Sequence, residues 1–265
     1  MPVDCVALWV GGKLGAVERA CLRSALRHGH SVTLYAYEPV TGVPEGVALR
    51  DAAAVVPAAR LIRHQSGSVA LFSDLFRFEV QRQGLGTWID CDMYFVGTLD
   101  ADSPYLFGRE DGYFINTGVL RLPAGSPLLA DLIGIFDQRE IPFWLPARHR
   151  ALAWLRRTLT GRTAVERMPW GAAGPKALTA LAAKHDVAQL ARPPEAFCPV
   201  NYRDARWILD PSIALEDMVG RDTVAVHLWN DRIAAFKDSP APERSFLAQL
   251  QAEGRQEERA RDEPR

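Results

Sequence analysis

The residues best placed to do chemistry are Asp90 and Asp92, separated by Cys91 at the exit of the apolar run Thr87-Trp88-Ile89. Along an extended chain, alternation sends both aspartates to one side and Cys91 to the other. Two adjacent carboxylates at a strand end suit a hard divalent cation such as Mg2+ or Mn2+, held against a phosphate. Upstream, Ser73-Asp74-Leu75-Phe76-Arg77 falls in a helical pattern starting near Ala70. There Phe72, Leu75, Phe76 and Val80 share one face, and Asp74, Arg77 and Gln81 share the opposite one at i, i+3, i+7. Taken alone, Asp74 and Arg77 read as a solvated ion pair worth only tenths of a kcal/mol. Just before a carboxylate pair they gain a second reading. Arg77 then offers a planar fork for a carboxylate or phosphate, and Asp74 an acceptor for sugar hydroxyls. The chain thus reads as an enzyme that handles a nucleotide diphosphate.

The elements that must position these groups follow from periodicity. Val3 to Val10 is a first buried strand closed by Gly11-Gly12, Ala16 to Arg27 a helix stopping at Gly29, and Ser31 to Tyr37 a second strand. This opening predicts a right-handed parallel crossover. A short third strand is expected at Val47–Asp51, a helix from about Val69 to Gln83, and then the strand carrying the carboxylates. Beyond Asp100, Tyr105–Phe107 and Gly112–Leu120 read as further strands, the second interrupted by a polar pair, and Pro127–Phe136 and Gly174–His185 as helical. Val224–His227 is a last short strand. The expected organisation is one domain over residues 1–242, with a helical insertion at about 125–190. A charged tail over 243–265 is expected to be disordered, since Glu253–Arg265 has almost no apolar surface to bury.

At 265 residues, nearly half apolar and about a quarter charged, the chain has the composition of a globular protein with a full core. A net charge of −1 and the lack of a concentrated basic motif argue against nucleic acid as a partner. No apolar run reaches the roughly eighteen residues of a membrane span, and Met1-Pro2-Val3-Asp4 does not read as a secretory signal. Four dispersed cysteines (Cys5, Cys21, Cys91, Cys198) read as free thiols of a reducing, cytoplasmic compartment rather than as disulfides or a zinc site.

Ser-Asp-x-x-Arg followed by Gly-x-x-Trp-Ile-Asp-x-Asp resembles the glycosyltransferases of family 32 and their relatives, among them capsular and lipopolysaccharide sugar transferases. The resemblance runs from Leu8-Trp9-Val10-Gly11-Gly12 through Asn116-Thr117-Gly118 and Gly174-Pro175-x-x-Leu178-Thr179 to His227-x-Trp229. Its force lies in the order of these pieces. It implies an α/β GT-A fold, a Rossmann-like sheet with helices on both faces and a mostly helical C-terminal part. It also implies a nucleoside diphosphate sugar donor (a UDP-sugar favoured), Mn2+ or Mg2+, and retention of anomeric configuration. Carried over, Asp92 holds the metal, and Asp90 contacts ribose, sugar or a metal-bound water and joins the metal site. Asp74 and Arg77 grip the donor sugar, Leu8 and Trp9 line the base pocket, and Asn116 sits near the reacting face. His227 and Trp229 belong to a segment that closes over the diphosphate. For His227, a metal or diphosphate contact and an ordinary structural histidine stay about equal readings. Glu110 and Asp111 are unassigned carboxylates at the expected rim.

Between Arg139 and Arg167, Phe143, Trp144, Trp154 and Leu155 interleave with Arg148, Arg150, Arg156 and Arg157. One reading is a peripheral membrane contact near a lipid-linked or other glycan acceptor. The other is a helical subdomain with core aromatics and solvated arginines. Three rivals to sugar transfer share parts of this pattern. One is a phosphatase of the haloacid dehalogenase type, which places Asp-x-Asp on its first strand and not on a middle one. The second is a sugar nucleotidyltransferase, of whose glycine-rich basic loop Gly11-Gly12-Lys13-Leu14-Gly15 is a faint echo. The third is a non-catalytic binder of nucleotide sugars or glycans.

Overall fold

A computed structural model describes residues 2–262, with side chains described to residue 256. The chain forms a mixed α/β structure around a five-stranded, mostly parallel sheet flanked by helices. β1 (Asp4–Trp9), β2 (Ser31–Ala36), β3 (Val47–Asp51) and β4 (Thr87–Ile89) run parallel in the order β3-β2-β1-β4. β5 (Met93–Phe95) leaves the sheet, and β6 (Val119–Leu120) adds an antiparallel edge beside β4. Val6 and Ala7 of β1 and all three residues of β4 are buried, as central strands covered on both faces require. In β2 the burial alternates, Val32, Leu34 and Ala36 facing inward. β3 is an exposed edge that carries Arg50 and Asp51, charges that discourage edge-to-edge pairing.

From β1 the chain winds outward through α1 (Ala16–Arg27) to β2 and β3. It then returns through α2 (Ala70–Arg82) to β4, on the other side of β1. The winding direction therefore reverses between β1 and β4. A crevice opens at such a point beyond the carboxyl ends of the strands, and ligands of open α/β sheets bind there. Leu8, Trp9, Asp90 and Asp92 all sit at that end.

The remaining helices are α3 (Pro127–Gly134), α4 (Ala147–Thr160), α5 (Pro175–Lys184), and the single turns α6 (Pro194–Phe197), α7 (Leu215–Met218) and α8 (Asn230–Ile233). β7 (Ala225–His227) pairs antiparallel with β5. Ser126 caps α3, its side chain accepting from the Leu129 N–H, and Pro127 takes the first position, where its missing N–H leaves nothing unpaired.

Two expectations are corrected. Tyr105–Phe107 and Gly112–Leu120 are not continuous strands. Only Val119–Leu120 is one, and the rest makes isolated bridges, Leu106 with Arg121 and Arg109 with Ile115. The cause is local: Asp111 accepts from the N–H groups of Tyr113 and Phe114, both at 2.7 Å, and Asn116 from that of Gly118 at 2.6 Å. These side-chain turns break an extended run. The tail expected to be disordered instead forms α9 (Phe246–Asp262), with residues 263–265 outside those described. Phe246, Leu247 and Leu250 are buried, and Phe246 stacks on Trp207 with ring centroids 5.2 Å apart. Glu253 pairs with Arg27 of α1 at 2.6 Å. Gly254 lets the two helices touch: a Cβ there would lie 1.9 Å from the Ala16 carbonyl oxygen.

Among the described residues no helix is long and apolar enough to cross a membrane, and all four cysteines are free thiols.

Candidate active site

At the reversal point lies a cavity of about 670 Å3. Every residue assigned to the site from sequence lines it: Leu8, Trp9, Asp74, Arg77, Asp90, Asp92, Asn116, His227 and Trp229. Residues 90–92 are a tight turn and not an extended strand end, the Met93 N–H bonding the Asp90 carbonyl at 3.1 Å. The turn still sends both carboxylates into the cavity, while the Cys91 thiol points back to the Leu8 carbonyl at 3.6 Å.

His227 reaches the pair because the turn runs straight into β5, on which β7 is laid. His227 stands opposite Met93 in that ladder, and the Leu228 N–H extends it to the Asp92 carbonyl at 3.0 Å. The imidazole Nε2 lies 3.4 Å from Asp92 Oδ2, which also accepts from the Asn230 N–H at 2.8 Å. Trp229, in a left-handed conformation at φ 55°, turns the backbone so that this N–H points at Asp92. Such a conformation costs a non-glycine residue roughly 1–2 kcal/mol. The Trp229 indole stacks against His227 at 4.1 Å between centroids and donates to the Val200 carbonyl at 2.9 Å. The expected closing segment is thus packed down over the site, with Leu228 and Ile233 buried. Lys237 ties it to α1, bonding both Glu18 and Asn230.

Asp90, Asp92 and His227 each offer a ligand atom within 4.8 Å of the others, so this cluster can hold a metal ion. Asp90 Oδ2 takes no hydrogen bond from any described group and is left for a ligand. Burial alone would raise the pKa of Asp92, but His227 and the Asn230 N–H bring it below the usual carboxylate range. For His227, burial pulls down and the Asp92 carboxylate pushes up, and the balance lies well above an ordinary imidazole.

Arg77 departs from its expected part. Its fork is committed inside the protein: Nη1 donates to the Thr117 carbonyl at 2.8 Å, and Nε and Nη2 reach the Ser73 carbonyl and Oγ at 3.3 and 3.2 Å. Nη2 lies 3.1 Å from Asp90 Oδ1, and the guanidinium sits over the Trp88 ring. Arg77 is thus a positioning group for Asp90, not a free grip on a phosphate. Its helix face, expected to be polar and solvated, is buried: Asp74, Arg77 and Gln81 are each less than 10% exposed. Asp74 faces Arg77 at 3.7 Å and, among the described residues, takes no hydrogen bond from the protein. Burial pushes its pKa up to about 7, against the pull of Arg77. The first turn of α5 presses on it, since a Cβ on Gly174 would fall 2.6 Å from both carboxylate oxygens.

Asn116 does not stand alone in the cavity wall. Its Nδ2 donates to Glu110 Oε2 at 3.2 Å, and the turn it makes brings the Gly118 carbonyl to the Asp90 N–H at 2.7 Å. Glu110 lines the cavity, with a pKa raised by burial. Asp111 instead serves its own turn. Sequence reasoning missed Trp88, whose indole N–H donates to Asp90 Oδ1 at 2.7 Å. The signal was present: Trp88 lies two residues before Asp90, on the same side of the chain. It also missed the far wall, with His64, Trp170 and Lys176, which no spacing connects to the carboxylates.

The chain matches no model of a known protein family, and no curated protein matches it.

Proposed function

We propose that this chain is a metal-dependent glycosyltransferase of GT-A fold, akin to family 32. It would move a hexose-type unit from a nucleoside diphosphate sugar, a UDP-sugar favoured, to the hydroxyl of a glycan or lipid-linked acceptor. One observation carries the reading. The three-residue ligand cluster opens into a cavity of about 670 Å3 at the reversal point of the sheet, a volume in the range of small-molecule sites.

In this reading Asp90, Asp92 and His227 would hold Mn2+ or Mg2+, which would supply positive charge to offset that of a diphosphate leaving group. Arg77 and Trp88 fix Asp90, and Trp229 and the Asn230 N–H fix His227 and Asp92. Such fixed groups need no reorganisation as charge develops. Leu8 and Trp9, at the end of β1, border the base. Asp74, buried and free of protein hydrogen bonds, accepts from sugar hydroxyls, and Asn116 holds Glu110 at the same space. Leu228 and Ile233 anchor the segment that keeps water from the donor. The family resemblance implies retention; with no side chain assigned as a nucleophile, that outcome would have the acceptor hydroxyl attack on the face the diphosphate leaves, its proton passing to the departing phosphate oxygen.

The test is to incubate the protein with nucleotide sugars and Mn2+ and identify the products by 31P NMR. Release of nucleoside diphosphate is expected. Nucleoside monophosphate with sugar phosphate would show a phosphoanhydride bond broken and a nucleotidyltransferase instead. Binding with no turnover on any acceptor would make the chain a nucleotide-sugar binder.

A further inference from the structure

We propose that α4 and the residues leading into it form a docking face for an anionic phospholipid bilayer. This goes beyond sugar transfer and stands without it. Helix α4 is inside out for a globular protein. Leu152, Leu155 and Leu159, at i, i+3, i+7, share one face, and all three are exposed, Leu159 to 75%. Trp154 beside them is 55% exposed, and Ala153 is the one buried residue of the helix. Ten large apolar side chains are exposed among the described residues, and five (Phe143, Leu152, Trp154, Leu155, Leu159) fall in this one stretch. They form a patch rather than scattered exceptions.

Charge decides what the patch fits. Residues 139–167 hold seven arginines and two glutamates, a net +5, in a chain whose total is −1. Helix α4 carries no acidic residue. At 3.6 residues per turn, Arg148 continues the leucine stripe, Arg156 borders it on one side, and Arg150 and Arg157 lie on the far side of Trp154 from the leucines. Arg148, Arg150 and Arg156 have no carboxylate partner among the described residues. Apolar side chains between two arginine flanks, with a tryptophan at the boundary, suit a helix lying in the plane of a headgroup layer. The leucines would enter the acyl boundary while the guanidinium forks meet lipid phosphates. A nucleic acid would have no use for the leucine stripe. The face is joined to the candidate active site, for the Trp144 indole donates at 2.8 Å to the carbonyl of Ala172, which lines the cavity. Docking here would hold the cavity beside the membrane, where a lipid-linked acceptor lies.

The experiment is flotation of the full chain with vesicles of phosphatidylcholine alone or with one third phosphatidylglycerol, at low and high salt. Binding to the anionic vesicles is expected, weakened by salt and by at least about tenfold on neutral ones. The double variant L155E/L159E should abolish it. R148Q/R150Q/R156Q should reduce it roughly a hundredfold. Both variants change side chains that are exposed or, at Arg156, half-buried, and should keep the wild-type melting temperature and Mn2+-dependent nucleotide binding. Equal binding to both vesicle types, or full binding by L155E/L159E, would overturn the proposal. So would failure to float combined with a concentration-dependent dimer that L155E/L159E dissolves, which would make the face a contact between copies.

Discussion

Nη2 of Arg77 lies 3.1 Å from Oδ1 of Asp90, the oxygen that also takes the Trp88 indole N–H. The arginine that looks free in sequence is therefore the anchor of the first carboxylate. Lysine at this position keeps the charge but cannot bond Asp90, Thr117 and Ser73 together. Arg77→Lys should lower stability by about 1.5–3 kcal/mol, the scale of a hydrogen bond to a charged group. It should weaken Mn2+ binding roughly 10- to 100-fold, as removal of a ligand's support does. Denaturant melts and calorimetric titration of Mn2+ check both, and wild-type affinity would show that Asp90 needs no anchor.

Asp74 should make the ligand-free protein less stable as pH rises. Its carboxyl titrates at about 7 when folded and at about 3.9 in an unfolded chain. Between these values the native state holds a proton that the unfolded state has lost. The stabilising contribution is complete below about pH 4 and is lost as pH climbs through about 7. Asp74→Asn removes this penalty. The variant should be more stable than wild type at pH 8 by up to a few kcal/mol, and nearly equal at pH 4. A difference independent of pH would place the carboxylate in a solvated setting.

Gly174 should tolerate no side chain. Alanine would drive its Cβ to within 2.6 Å of both Asp74 oxygens unless α5 or α2 shifts. Gly174→Ala should cost about 1–3 kcal/mol, as overpacking does, and reduce nucleotide-sugar binding together with stability. A variant that binds as wild type would mean that the cavity wall gives freely.

Gly254 tests the docking of α9, and here the sign is informative. In an open helix Gly→Ala stabilises by about 0.8–1.0 kcal/mol. At 254 the new Cβ would meet the Ala16 carbonyl at 1.9 Å, so the helices must separate and the melting temperature should fall. A rise would show that α9 does not lie against α1.

The fold was legible in sequence wherever one periodicity ruled. The β1-α1-β2 opening, α2 and β4 stand within a residue or two of their expected limits, because apolar spacing decided them. It failed where side chains compete with the ladder, as Asp111 and Asn116 do. It failed again at α9, whose charged composition hid the buried Phe246, Leu247 and Leu250. That the site residues gather around one cavity was legible, but the contacts among them were not. Whether Arg77 grips a ligand or holds Asp90 depends on the Thr117 carbonyl, forty residues away and brought near only by folding.

The central claim is that Asp92, with Asp90 and His227, holds a cation on which nucleoside diphosphate binding depends. Calorimetric titration of UDP into wild type and Asp92→Asn, each with Mn2+ and with EDTA, tests it most directly. The account predicts binding by wild type with Mn2+ that is lost in EDTA and lost in the variant, with both proteins folded by circular dichroism. UDP binding of equal strength with and without metal, or unchanged by Asp92→Asn, would contradict it.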